Sequence, residues 1–349
     1  MPSISMPPIT DFIAAIPKCE LHIHLEGTLE AELKWQLAER NGVRLPYASA
    51  VDMAAAYNWH DLPSFLTVFY EGSRVLITEQ DFYDLCYAYL SKVAAQNVVH
   101  AEMFFDPQQH LRRGVPFADV INGLSRACRE AERELGIRGQ LIMCFLREET
   151  AASAMETLLT ALPFKHLIVG VGLDSDERGN PPSKFAEVFA LARAEGLRLT
   201  MHCDLDQPNT HSHIAQAIEL IGVDRIDHGV NILENDRLVG LARERGIPFT
   251  LCPYANEIIR PGHKQAPVRR MLDLGLRLSL NSDDPAYMNS WYINENIALA
   301  QRDAGLSKAE LITCARNAFA AAWIDEQQRR SYLGRLDAFA QSQGVLQKT

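Results

Sequence analysis

Apolar residues fall along this chain in short continuous runs, separated by longer stretches in which they recur at three- and four-residue spacing. That pattern predicts buried strands alternating with amphipathic helices. The first run, 19–24, reads as a strand that stops at Gly27; Thr28 is placed to cap a helix over 29–40, which Asn41-Gly42 ends. Residues 51–95 are helical in pattern throughout, with Trp59, Phe65, Leu66, Phe69 and Tyr70 forming an aromatic and aliphatic stripe. Further strands are expected at 98–105, 140–145, 166–173, 197–203, 225–228, 248–252 and 278–281, with helices at about 116–135, 183–195, 214–221, 236–245 and 268–274. The remainder is helical, and Ser307-Lys308-Ala309-Glu310 fits a capping box. Eight strands alternating with helices predict an α/β fold, a (β/α)8 TIM barrel. The 51–95 segment is then a helical insertion after the first strand-helix unit, extra helices follow the last strand, and residues 1–349 are expected to form a single domain.

Barrel enzymes carry their chemistry at the C-terminal ends of the strands, and polar residues gather there. In an extended strand residues i and i+2 share a face, so His22 and His24 converge at the end of the first strand. The fifth strand ends in His202-Cys203-Asp204-Leu205-Asp206, the sixth in Asp227-His228-Gly229, and the eighth in Asn281-Ser282-Asp283-Asp284-Pro285. Any one of these has a structural reading, since Asp-Pro is a common turn and a lone strand-end His is often just a satisfied hydrogen-bonding group. Agreement among four strand ends points elsewhere. His22, His24, His202 and Asp283 make a three-nitrogen, one-oxygen set suited to a single Zn2+ with a position left for water. His211 and His213 also stand two apart, but in a predicted helix, where such residues do not share a face; they read as solvated or capping. His60, His100, His110, His166 and His263 lack matching context and read as surface or core residues.

Composition narrows the partners. A net charge of −10 with Lys and Arg scattered along the chain gives no footprint for nucleic acid. No apolar run reaches the length of a membrane span. A small, neutral or weakly charged molecule is the expected partner, and a homo-oligomer is left open. Seven widely spaced cysteines without a C-x-x-C pair read as free thiols of a reducing compartment, so a cytoplasmic location is expected.

The same residues carry a resemblance to the adenosine and adenine deaminase family, zinc hydrolases of the amidohydrolase superfamily. The motifs are His22-Ile23-His24-Leu25-Glu26-Gly27, His202, Arg225-Ile226-Asp227-His228-Gly229, Cys252-Pro253 with Asn256, and Ser282-Asp283-Asp284-Pro285. Three stretches look more like the branch acting on free adenine: 101–108, 172–177 followed by Pro181-Pro182, and 281–287. The resemblance implies that His22, His24, His202 and Asp283 bind Zn2+, and that His228 orients and deprotonates the attacking water. It implies that Asp284 accepts a hydrogen bond from the purine, with Ser175, Glu177 and Phe65 as further substrate contacts. The expected reaction is hydrolytic deamination of a 6-aminopurine, foremost adenine to hypoxanthine and ammonia. N6-substituted adenines and adenosine are the alternatives, and a non-enzymatic purine-binding module is a further one.

One departure stands out. The family usually places a Glu three residues after the strand-five His, to protonate the ring nitrogen beside the attacked carbon; here that position is Leu205, flanked by Asp204 and Asp206. Two-metal amidohydrolase chemistry usually wants a bridging carboxylated Lys at the fourth strand, which here ends Gly170-Val171-Gly172-Leu173-Asp174. The H-x-E with P-C-x-x-C of cytosine-type deaminases is absent. Asp206, or failing that Asp204, is therefore expected to be the proton donor. A positioned acid contributes about 10²–10⁴-fold, so Asp206→Asn or Asp204→Asn should lower turnover on that scale. Near-normal kcat in both variants would rule the assignment out.

Overall fold

The computed structural model describes residues 4–57, 61–203, 210–259 and 266–345. Eight parallel strands follow one another in chain order around a barrel: β1 (Lys18–Glu20), β2 (Val98–Phe105), β3 (Arg138–Leu146), β4 (Ile168–Asp174), β5 (Arg198–Cys203), β6 (Arg225–His228), β7 (Pro248–Leu251) and β8 (Arg277–Leu280). Strand positions follow the apolar runs closely, because strands buried on both faces read as continuous hydrophobic sequence. β2 is buried along its whole length.

The first strand is shorter than its apolar run. Beyond Glu20 the Leu21 N–H donates to the Asn281 side chain at 2.8 Å, and pairing resumes only as single bridges, Ile23 with Asp283 and His24 with Phe104. The motif at 22–24 is thus threaded between the ends of β2 and β8, which brings the two edges of the sheet together. Glu20 reinforces this: its carboxylate accepts from the Ser282 N–H at 3.0 Å and from the Tyr89 hydroxyl at 2.7 Å.

Thr28 is not the cap expected of it. Its hydroxyl donates to the Leu25 carbonyl at 2.7 Å inside a 3-10 turn (Glu26–Thr28), and the helix starts later, at Ala31–Arg40 with Glu30 at the N-cap. His166 falls in a 3-10 turn (Leu162–Leu167) ahead of β4. The helix expected over 214–221 begins at His211 and becomes a π-helical turn (Gln216–Ile221). Ser307 and Glu310 form the capping box that the sequence announces.

The insertion between β1 and β2 is helical over Ala50–Ala55, Leu62–Gly72 and Glu79–Ala94. Trp59 of the aromatic stripe lies outside the described residues. Phe65 and Phe69 pack with Cys252, Tyr254, Tyr287, Met288 and Trp291 in a cluster separate from the main core. The helix at 62–72 therefore lies against the segments that follow β7 and β8. Among the described residues no helix is long and apolar enough to cross a membrane.

The barrel interior also holds a charged pair. Arg225 on β6 donates to Glu102 on β2 at 2.7 Å with both side chains fully buried, and the guanidinium lies over the Trp323 ring at 4.2 Å. Burial raises the Glu102 carboxyl, but the Arg225 charge and His100 outweigh it and hold the group below its ordinary range. Removing one partner leaves a buried charge uncompensated. Arg225→Ala should cost about 3–5 kcal/mol in denaturant unfolding, and Glu102→Gln with Arg225→Met together should cost less than either single change.

Candidate active site

The ends of β1, β5, β6 and β8 bring four imidazoles around the Asp283 carboxylate. His22 Nε2 lies 3.4 Å from Asp283 Oδ1, His24 Nε2 3.5 Å from the same oxygen, and His228 Nε2 3.6 Å from Oδ2. His202 joins through its Nε2, 3.0 Å from that of His24. Ligand atoms of His22, His202, His228 and Asp283 all lie within 4.8 Å of one another, and all four residues are buried.

Each ring is turned the same way. His22 Nδ1 faces the Thr250 hydroxyl at 2.9 Å, and that hydroxyl donates to Asp227 at 2.8 Å, so the His22 proton belongs on Nδ1. His24 Nδ1 faces Asp174 at 3.5 Å, His202 Nδ1 faces Asp227 at 3.7 Å, and His228 Nδ1 donates to Asn256 Oδ1 at 3.1 Å. Outer acceptors of this kind fix a tautomer and aim the other nitrogen's lone pair inward. Among the described residues buried His22 Nε2 has no hydrogen-bond partner, only the Asp283 carboxylate at 3.4 Å. Converging lone pairs around a carboxylate are a donor set for a cation such as Zn2+.

The backbone is bent to reach this arrangement. His228 and Asp283 have φ of +55° and +67°, and Ser175 has +73°. Left-handed conformations are uncommon outside glycine and gather at functional sites. Gly229, itself left-handed, continues the turn after His228; a Cβ there would come within 2.7 Å of Phe249. Gly27 lets the chain pass Asp284, since a Cβ on it would collide with that carboxylate and sit 2.9 Å from its Cα.

Burial sets the charges. It raises the Asp284 carboxyl well above its ordinary range, and the Asp283 charge adds to the effect. Asp283 itself is held low because the imidazoles of His22, His228 and His24 outweigh burial. Burial, then the charge of His22, pulls His228 down to about 4, so its ring is neutral near pH 7. His24 is drawn down to about 4 by burial, while His22 is left raised because Asp283 outweighs burial.

A pocket opens above the cluster. Its polar wall carries His24, His202, His228, Asp283 and Asp284, together with Asp106, Asp174 and Ser175. The opposite wall is apolar: Leu62, Phe65, Leu66 and Phe69 come from the insertion helix, and Ile259 and Met288 complete it. Ser175 is fixed by the Tyr70 hydroxyl at 2.6 Å. Phe65, Ser175 and Asp284, expected as substrate contacts, line this pocket.

Glu177 does not. It is fully buried outside the described lining, bonded to His213 Nδ1 at 2.6 Å and paired with Arg147 at 3.5 Å. Arg147 in turn donates to the His202 carbonyl at 2.8 Å, so Glu177 braces the site from behind, and His213 is a structural partner rather than a solvated one. Asp204 and Asp206 lie outside the described residues. The sequence reading missed Thr250, Arg147 and Asp106 as members of the site. Asp106 reads locally as a turn residue before Pro107, and its place at a strand end was the available signal.

With this geometry the chain can be set beside known proteins. The adenosine deaminase family model matches residues 17–339, and the chain belongs to that family. An uncharacterized deaminase of Schizosaccharomyces pombe is 57% identical over 96% of this chain and 99% of its own. An adenine deaminase of Acinetobacter baylyi is 45% identical over 93% and 97% of the two chains. Among solved structures, an adenine deaminase from Arthrobacter aurescens superposes with a TM-score of 0.90 at 38% identity, covering 94% of this chain and 100% of that one. An amidohydrolase of Burkholderia ambifaria with bound Zn gives 0.87 at 29% identity over 99% and 97%. The protein is a hydrolase acting on carbon–nitrogen bonds of cyclic amidines.

The Thr250 hydroxyl is the link between His22 and Asp227. Losing an outer partner of this kind costs about 10- to 100-fold in metal affinity. Thr250→Val is expected to weaken divalent-metal binding on that scale in a chelator competition, with circular dichroism unchanged.

Proposed function

We propose that this chain catalyses the hydrolytic deamination of a 6-aminopurine base, adenine and water giving hypoxanthine and ammonia, with one Zn2+ per chain held by His22, His24, His202 and Asp283. The observation that carries the reading is the inward turn of the imidazoles around Asp283 at the floor of a pocket with an apolar wall. A Zn2+ held there supplies a Lewis acid that makes hydroxide available near neutral pH.

The chain's own residues do the rest. His228, its ring fixed by Asn256, orients the attacking water and takes its proton as the bond to the amino-bearing carbon forms. Asp284 accepts a hydrogen bond from the purine edge. Asp206, or Asp204, delivers a proton to the ring nitrogen beside that carbon, which neutralises charge as the tetrahedral centre develops. Phe65 covers a face of the base and Ser175 contacts its edge. The proton taken by His228 then passes to the amino nitrogen, which leaves as ammonia, while the new hydroxyl gives its proton back to the spent acid, leaving the 6-oxo product with its ring nitrogen protonated.

Two features favour a free base. The described lining holds no Lys or Arg, so it offers a phosphate no cationic partner. Its apolar wall suits a flat ring, and the same wall can take an alkyl group on the exocyclic nitrogen, which keeps N6-substituted adenines as the second reading. A cytoplasmic location fits seven cysteines that are all free and buried.

Zinc-loaded protein should change the ultraviolet absorbance of adenine or an N6-substituted adenine more efficiently than that of adenosine. A chelator should abolish the activity and Zn2+ restore it, and His228→Asn should lower kcat about 10²–10⁴-fold. No turnover of any aminopurine by protein with one bound Zn2+ would overturn the proposal.

A further inference from the structure

Asp106 directly follows β2 and stands in the pocket with no task in the reaction described above. It is 3% exposed, and its Oδ1 is buried without a hydrogen-bond partner among the described residues. Asp174, at the end of β4, shares the wall; both of its oxygens are likewise without a hydrogen bond, and one faces His24 Nδ1 at 3.5 Å. Asp106 stands beside this pair, with ligand atoms of His24, Asp106 and Asp174 all within 4.8 Å of one another; burial, then the charges of Asp174 and Glu26, raise the Asp106 carboxyl well above its ordinary range, and its Oδ1 is the atom left over for a ligand.

Its position is nonetheless actively held. Glu26 accepts from the Asp106 backbone N–H at 3.1 Å and from His110 Nε2 at 2.8 Å. Pro107 then starts the short helix Pro107–Leu111, whose Gln108 side chain accepts from the Leu146 N–H at 2.8 Å. The backbone at Asp106 is clamped from both sides, and its carboxyl projects into the pocket with an unused acceptor. A buried acceptor left unpaired costs about 1–3 kcal/mol, more when charged. A fold that holds one there is matched by a ligand that brings a donor.

The proposed substrate has such a donor. A purine base carries one N–H on its imidazole ring, and in a nucleoside that hydrogen is replaced by the sugar carbon. We propose that Asp106 accepts the imidazole N–H of the base and is the residue that makes the enzyme select free 6-aminopurines over N9-substituted ones. The inference rests on the deaminase reading. It adds to it a specificity contact that positions the ring without taking part in the bond changes. A site built to bond a substrate N–H rejects analogues that lack it far more strongly than an apolar pocket rejects added bulk.

The test uses zinc-loaded full-length enzyme with adenine and 9-methyladenine, comparing the wild type with Asp106→Asn and Asp106→Ala. The wild type should prefer adenine strongly. In Asp106→Ala, KM for adenine should rise about 10- to 100-fold with a smaller change in kcat, while 9-methyladenine is used as well as before or better, so the preference collapses. Asp106→Asn, of the same size, keeps an acceptor oxygen but puts an amide beside Asp174, and should fall between. A preference unchanged in Asp106→Ala, with both substrates impaired in parallel, would overturn the proposal, as would two bound metal ions per wild-type chain falling to one in the variant. Calorimetric binding of purine against 9-methylpurine reads the same contact without turnover. Tight purine binding that Asp106→Ala weakens, in an enzyme that deaminates nothing, would sink the deaminase reading and leave this contact standing. Equal binding of both ligands by the wild type would sink the contact alone.

Discussion

Four buried imidazoles turned the same way around one carboxylate are the constraint on which the rest of this structure depends. Each ring gives its Nδ1 to an outer partner, Thr250, Asp174, Asp227 or Asn256, and each presents Nε2 to the centre. Burying that many polar groups is unfavourable unless each is paired or coordinated. The outer partners supply half of the compensation, and the donor set they orient has the chemistry to hold a divalent cation for the other half. Left-handed backbone at His228 and Asp283, a glycine where the chain passes Asp284, and the bridge of Ile23 to Asp283 all serve that convergence.

The barrel is arranged to bear this strain. Glu20 and Asn281 tie the first strand to the segment after the last one through hydrogen bonds to Ser282 and Leu21. The interior below is closed by Arg225, Glu102 and Trp323. Above, the insertion helix is held by a separate apolar cluster around Tyr287, so the pocket's polar floor and apolar wall belong to different packing units. One unit fixes the chemistry and the other encloses the ligand.

Much of this was legible along the chain because the periodicity of burial is local. β2 and β6 begin and end where their apolar runs do, and the Ser307–Glu310 box forms as written. His22, His24, His202 and Asp283 were selected by one rule, polar residues at strand ends, and the fold brings them together. Where the sequence reading went astray, a partner distant in sequence was responsible. Thr28 spends its hydroxyl on Leu25, Glu177 is claimed by His213 and Arg147, and β1 is cut short by the Asn281 side chain.

By itself the sequence determined the barrel, the order of its strands and the identity of the inward-facing histidines, because strand periodicity and strand-end position follow from neighbouring residues. Only the tertiary structure decided which nitrogen of each ring faces the centre and which carboxylates are left with an unused acceptor. Those properties depend on contacts between strands far apart in the chain, such as Thr250 against His22 and Glu26 against Asp106. No local pattern encodes them.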